Sequence, residues 1–195
     1  MGKRIAIILG HPDATEPHYC HSLARAYLDG ATKAGHEVRV IDVARLDFPL
    51  LRNRREFESA EPPTAIRAAQ DDIRWAQHLV IVYPLWLGTL PALLKAFFEQ
   101  TFRYGFALSV GSVRGMPKKL LAGRSARIVV TMGMPATAYK YLFRAHGLKS
   151  LESGILSLSG IRPIRSTLIG LVENRSAAWR RRVLDEMCEL GARAI

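Results

Sequence analysis

Cysteine is nearly absent. Cys20 and Cys188 are the only two, far apart in apparent helices and without a Cys-x-x-Cys pair, which excludes a disulfide framework and a cysteine-built zinc site. Both read as small core residues, and no metal site is expected. Long apolar runs are missing as well: no window approaches the roughly 18 residues that cross a bilayer. The first apolar segment, Ile5 to Leu9 behind Met1-Gly2-Lys3-Arg4, is too short for the core of a secretory signal, so the expected location is the cytoplasm. Acidic residues are scarce, 17 Asp and Glu against 28 Lys and Arg for a net charge of +11. Such a surface attracts phosphorylated ligands, anionic membranes or nucleic acid. Its basic clusters, Arg52-Asn53-Arg54-Arg55, Lys118-Lys119 and Arg180-Arg181-Arg182, lack the interleaved aromatics of a nucleic-acid platform, and nucleic acid is not an expected partner. No GxGxxG follows the first strand and no GxxxxGK[ST] occurs anywhere, which disfavours a dinucleotide Rossmann site and a P-loop.

What is present is alternation. Apolar runs at Arg4 to Leu9, Glu37 to Val43, Leu79 to Tyr83, Ala126 to Thr131 and Arg165 to Ile169 are separated by stretches of helical period, the signature of a parallel sheet covered on both faces. Cys20, Leu23, Ala24, Tyr27, Leu28 and Ala31 mark one helical face that stops near Gly35; Leu90, Leu93, Leu94, Phe97, Phe98 and Thr101 mark a second, and Trp179, Val183, Met187 and Leu190 a last. The expected fold is α/β, one domain over residues 1–195, doubly wound with strand order 2-1-3-4-5. Phe102 to Gly123 reads as an excursion or short hairpin, and Tyr139 to Leu158 as helical material between the fourth and fifth strands. There is no internal repeat, low-complexity tract or linker.

In such a sheet ligands bind at the carboxyl ends of the strands, where strand order reverses. Three strands end unusually: the first in Gly10-His11-Pro12-Asp13-Ala14-Thr15, the third in Pro84-Leu85-Trp86-Leu87-Gly88, the fourth in Thr131-Met132-Gly133-Met134-Pro135. The first loop enters a helix whose free N–H groups favour an anion, with His11 and Thr15 as added donors; the same residues also suit a plain cap, with Thr15 or Asp13 at the helix start and Pro17 in the first turn. In Val82-Tyr83-Pro84-Leu85-Trp86-Leu87-Gly88-Thr89-Leu90-Pro91 the connection is apolar, stiff and aromatic. It suits a wall for a flat heteroaromatic ring, Trp86 and Leu87 covering the face and backbone N–H groups reaching the edge. Taken alone, Trp86 reads first as a core or interface residue, as large aromatics often are. Gly133 allows close backbone approach at the third loop.

These residues resemble the flavodoxin-like NAD(P)H:quinone oxidoreductases, including small bacterial quinone reductases and the ancillary oxidoreductases of potassium-efflux systems. The resemblance runs from Ile5 to Pro12, through Tyr83 to Glu99, to Ser153-Gly154-Ile155-Leu156. It implies FAD or FMN at the strand ends, NAD(P)H as cosubstrate, a quinone-like acceptor and a homodimer with flavin sites at its interface. By position, it places His11, Thr15, Pro17, His18 and Cys20 around the flavin phosphate, and Pro84, Leu85, Trp86, Leu87, Thr131 and Gly133 around the ring, with Phe106 near the excursion that closes over it. Tyr139 matches the family's active-site tyrosine, and the active-site histidine falls at or next to His146; for His146 a solvated helix position is an equal reading. The implied reaction is ping-pong two-electron transfer from NAD(P)H to the acceptor. Two other readings are a one-electron carrier, which the basic charge disfavours, and an ancillary subunit on a membrane transporter. Three departures stand out: Glu16 replaces a phosphate-binding serine, Met134 a glycine, and Leu108 and Val110 the tyrosines that some members set over the acceptor site.

Overall fold

A computed structural model describes residues 2–58, 60–109 and 117–195. Val110 lies outside them. Five parallel strands, β1 (Arg4–Leu9), β2 (Glu37–Asp42), β3 (His78–Pro84), β4 (Ser125–Met132) and β5 (Ile164–Gly170), form one sheet in the order β2-β1-β3-β4-β5. Around it stand α1 (Tyr19–Lys33), α2 (Arg54–Glu58), α3 (Thr64–Trp75), α4 (Ala92–Thr101), α5 (His146–Lys149) and α6 (Ala177–Arg193). Each expected strand agrees with the observed one to within a residue at either end.

The period of two along a strand sorts its side chains onto two faces. Ala6, Ile8, Leu79, Ile81, Tyr83, Ile128 and Val130 pack with α3 and α4. Ile5, Ile7, Leu9, Val80, Val82 and Val129 pack with Leu23, Tyr27 and Ala31 of α1 and Val183 and Met187 of α6. Because β1, β3 and β4 are buried on both faces and β2 and β5 are edges, the central strands read as unbroken apolar runs and the edge strands alternate. α1 and α6 meet through glycine: a Cβ on Gly30 would lie 1.9 Å from the Cys188 carbonyl oxygen, and one on Gly191 2.1 Å from that of Tyr27.

Between β4 and β5 the chain departs from α-helical geometry. Ala138–Leu142 and Ser150–Ser157 are π-helical, on either side of the four-residue α5. A π turn takes one residue more than an α turn. Leu108 forms an antiparallel bridge with Lys119, as a hairpin-like excursion requires.

Candidate functional site

The topology brings the three unusual loops to one crevice at the carboxyl ends of β1, β3 and β4. It encloses about 270 Å³ and is lined by His11, His18, Cys20, Pro84, Trp86 and Thr131 among the residues expected from sequence, and by Tyr19, Val172, Glu173 and Arg180 besides.

The β1–α1 loop is organised by its own imidazoles. His11 and His18 stack with centroids 3.8 Å apart, and His11 Nδ1 accepts from the Asp13 N–H at 3.2 Å. Burial, and then the neighbouring His18, hold the His11 imidazole below its ordinary value. His21 accepts from the His18 N–H at 3.1 Å, the part that Glu or Gln plays in the usual capping box. The Asp13 carboxylate accepts from the Thr15 N–H and hydroxyl and from His18 Nε2. Thr15 and Pro17 therefore belong to the loop that shapes the crevice and do not themselves line it. Cys20, at the start of α1, lies 3.2 Å from the Thr131 hydroxyl across the crevice floor. Burial pushes its thiol up to about 11, so at neutral pH it is a packed thiol and no nucleophile.

The β3–α4 loop is a two-residue hairpin turn. Trp86 and Thr89 exchange both backbone bonds, at 2.9 and 3.0 Å, while Leu87 (φ 48) and Gly88 (φ 81) take positive φ, the type I′ pattern that Asn-Gly usually serves. A leucine is held there under strain, and it is wholly exposed. Trp86 is half-exposed and meets His11 edge-on at 6.4 Å. It also lines a second hollow of about 460 Å³, largely apolar, with Leu87, Leu90, Gly147, Leu151 and Ile155. Leu85 anchors the turn by donating its N–H to the Thr131 carbonyl at 2.7 Å. At Gly133 a Cβ would meet nothing within 4 Å, so the third loop leaves free space on its side.

Tyr139 is buried, and its hydroxyl is used inside the fold: it donates to the Gly88 carbonyl at 3.3 Å and accepts from the Leu148 N–H at 3.0 Å. Burial raises its phenol above the ordinary value. The Gly147 backbone presses on the same turn, where a Cβ would stand 2.3 Å from the Gly88 oxygen. His146, next to it, is exposed. Phe106 is not brought to the crevice. It ends a chain of edge-to-face rings through Phe97, Phe98 and Phe102 and lies under the Arg74 guanidinium at 5.2 Å. Arg124, just before β4, bonds the Arg74 carbonyl, so Phe106 sits at the opposite, amino end of the sheet.

Arg180 is the residue that sequence reasoning missed. One of its terminal nitrogens donates to the Val172 carbonyl at 2.7 Å, and Tyr19 donates its hydroxyl to the Arg180 carbonyl at 3.1 Å. Its Nε is buried without a partner among the described residues, and its guanidinium brings positive charge to the crevice wall. A basic cluster near the start of a helix, where the dipole disfavours cations, was the available signal. A guanidinium, an aromatic wall and open backbone at Gly133 together suit a flavin, which Arg180 would meet at the phosphate end and Pro84, Leu85 and Trp86 at the ring.

A family model described as a flavodoxin-like fold matches residues 3–189, and the chain belongs to that family. Among curated relatives, a ribosyldihydronicotinamide dehydrogenase-like protein of Penicillium crustosum is 28% identical over 179 residues, 78% of this chain; the chain spans 64% of that relative's length. NAD(P)H dehydrogenase [quinone] 1 of Cavia porcellus is 26% identical over 192 residues, 85% of this chain and 68% of its own. A shorter stretch of 62 residues, 32% of this chain and 30% of the relative, is 40% identical to the potassium-efflux ancillary protein KefG of Cronobacter sakazakii. Among solved structures, an NAD(P)H:quinone oxidoreductase of Methanothermobacter marburgensis shares the fold with a TM-score of 0.80 at 20% identity, covering 98% of this chain and 96% of its own. No helix among the described residues is long and apolar enough to cross a membrane.

Proposed function

We propose that this chain is a flavin-dependent NAD(P)H oxidoreductase acting on quinone-like acceptors. The observation that carries the reading is the strand-end crevice, with a polar half containing Arg180 and His18 and an aromatic half at Trp86, which also lines the apolar hollow. FAD or FMN, when bound, would supply the two-electron chemistry between a reduced nicotinamide and the acceptor. The chain's own contribution is position and exclusion of water. The turn at Trp86 to Thr89 fixes the wall against the ring, and Tyr139 and Gly147 hold that turn from behind. Leu87, Leu90, Leu151 and Ile155 offer an apolar floor for a flat acceptor. His146, exposed one residue before Gly147, is the side chain free to steady negative charge near the ring.

A second copy of the chain is the natural cover. Trp86, Leu87, Tyr141, Leu142 and Phe143 are exposed large apolar groups on the connections that follow β3 and β4, and such exposure marks an interface. Steady-state kinetics test the reading. With flavin bound, varying NADPH at several fixed quinone concentrations gives parallel double-reciprocal lines, because both substrates use one crevice in turn; intersecting lines contradict it. A second reading, an ancillary subunit on a membrane transporter, is supported by the KefG-like stretch and the +11 charge. Retention on transporter-containing membranes that is lost at high salt distinguishes it.

A further inference from the structure

Three donors of the β1–α1 loop are already engaged by one side chain. Asp13 Oδ1 accepts from the Thr15 N–H at 2.8 Å and from the Thr15 hydroxyl at 2.6 Å, and Asp13 Oδ2 accepts from His18 Nε2 at 2.8 Å. One carboxylate thus holds three donors that the loop before α1 would otherwise offer to a phosphate. The neighbouring charges do not relieve it. Glu16 adds a second carboxylate to the loop, and across the crevice Arg180 stands beside Glu173. The imidazoles facing Asp13 are His18, at 2.8 Å from its carboxylate, and His11, which bonds the Asp13 backbone and stacks on His18; His21 lies beyond, 5.7 Å from His18.

We propose that Asp13 is the specificity-determining residue of the crevice: its carboxylate fills three of the loop's donor sites as an internal anion, so a ligand's phosphate gains less from this loop and the flavin is selected chiefly by its ring. The inference rests on the flavin reading above. A phosphate that took Thr15 and His18 would strip Asp13 of its hydrogen bonds and then lie beside a bare carboxylate. Acidification does not free the donors, since the bonds from Thr15 and then His18 hold the carboxyl well below the usual carboxylate range. Arg180 is the Arg or Lys side chain among those lining the crevice, with one terminal nitrogen already donating to the Val172 carbonyl.

Riboflavin shares the ring with FMN and lacks the phosphate, so the ratio of their dissociation constants isolates the phosphate's contribution. The experiment measures both, with FAD, by flavin fluorescence quenching at fixed ionic strength on the full chain and on its Asp13→Asn and Thr15→Val variants. Asparagine keeps an oxygen for Thr15 but removes the negative charge and the acceptor for His18. The expected result is a rise of about tenfold in the preference for FMN over riboflavin in Asp13→Asn, the scale of one charge-assisted contact. Thr15→Val is expected to leave the wild-type preference unchanged within about twofold, because its hydroxyl serves Asp13. An unchanged or reduced preference in Asp13→Asn overturns the proposal and makes Asp13 a brace that presents the donors to the phosphate. If Asp13→Asn does not fold, a fall of about tenfold in FMN preference in Thr15→Val overturns it, and an unchanged preference upholds it. Failure of riboflavin, FMN and FAD alike to bind the wild-type chain instead overturns the flavin reading, and this proposal with it.

Discussion

Tyr139 shows how a residue with an expected chemical role can carry a mechanical one. Its hydroxyl lies between the Gly88 carbonyl and the Leu148 N–H, so it ties the π-helical segment to the turn that bears Trp86. Tyr139→Phe leaves the buried Leu148 N–H without its acceptor, and we expect a loss of about 1–2 kcal/mol in urea unfolding; unaltered stability would mean that the hydroxyl holds nothing in place. Leu87 is the opposite case, a side chain that strains the backbone at φ 48 without touching the fold. Leu87→Asn is expected to stabilise the ligand-free monomer by about 1 kcal/mol and to weaken flavin binding or dimerisation, read by thermal melting, fluorescence titration and sedimentation. A variant less stable than wild type would show that Leu87 is not strained. Such strain persists where function needs the exposed group.

At the scale of elements, α1 and α6 pack closely because Gly30 and Gly191 offer each other's backbones no Cβ. Either changed to Ala should cost about 1–3 kcal/mol through forced separation of the helices, seen as a lower melting temperature with the α-helical circular dichroism retained; equal stability would contradict the contact. The strands were legible in the sequence because buried parallel strands leave continuous runs such as His78 to Val82, and the long helices because Cys20 to Ala31 keeps a period near 3.6. The segment from Ala138 to Ser157 was legible only as helical material. Its π turns break the period on which such reading rests. The site was legible where one loop carries several of its groups, as at Pro84 to Leu87. It was not legible at Arg180, which reaches the crevice from the far end of the chain, nor at Phe106, whose ring follows three other aromatics away from the sheet's carboxyl end.

For the whole molecule, the excess of positive charge reaches the interior. His78 is buried at the amino end of β3, its Nδ1 within 2.7 Å of the Ser125 hydroxyl and its Nε2 without a partner among the described residues. Burial first, then Lys3, Arg127 and Arg165, depress it from 6.5 to about 3. The folded chain keeps this imidazole neutral while the unfolded chain protonates it near 6.5, so its contribution is intact above that pH and is lost as pH falls toward 3, by about 2 kcal/mol at pH 5. His78→Gln should flatten the fall in melting temperature between pH 7 and pH 5 relative to wild type; parallel profiles would contradict the shift. The opposite end of the sheet bears the central claim, that the crevice holds a flavin reduced by a nicotinamide and reoxidised by a quinone. The most direct measurement is the visible spectrum of the flavin-loaded protein under anaerobic conditions, before and after NADPH and then after a quinone. Bleaching of the flavin bands by NADPH and their return with the quinone is the predicted result. A protein that binds no flavin, or a bound flavin that NADPH leaves oxidised, would contradict the account.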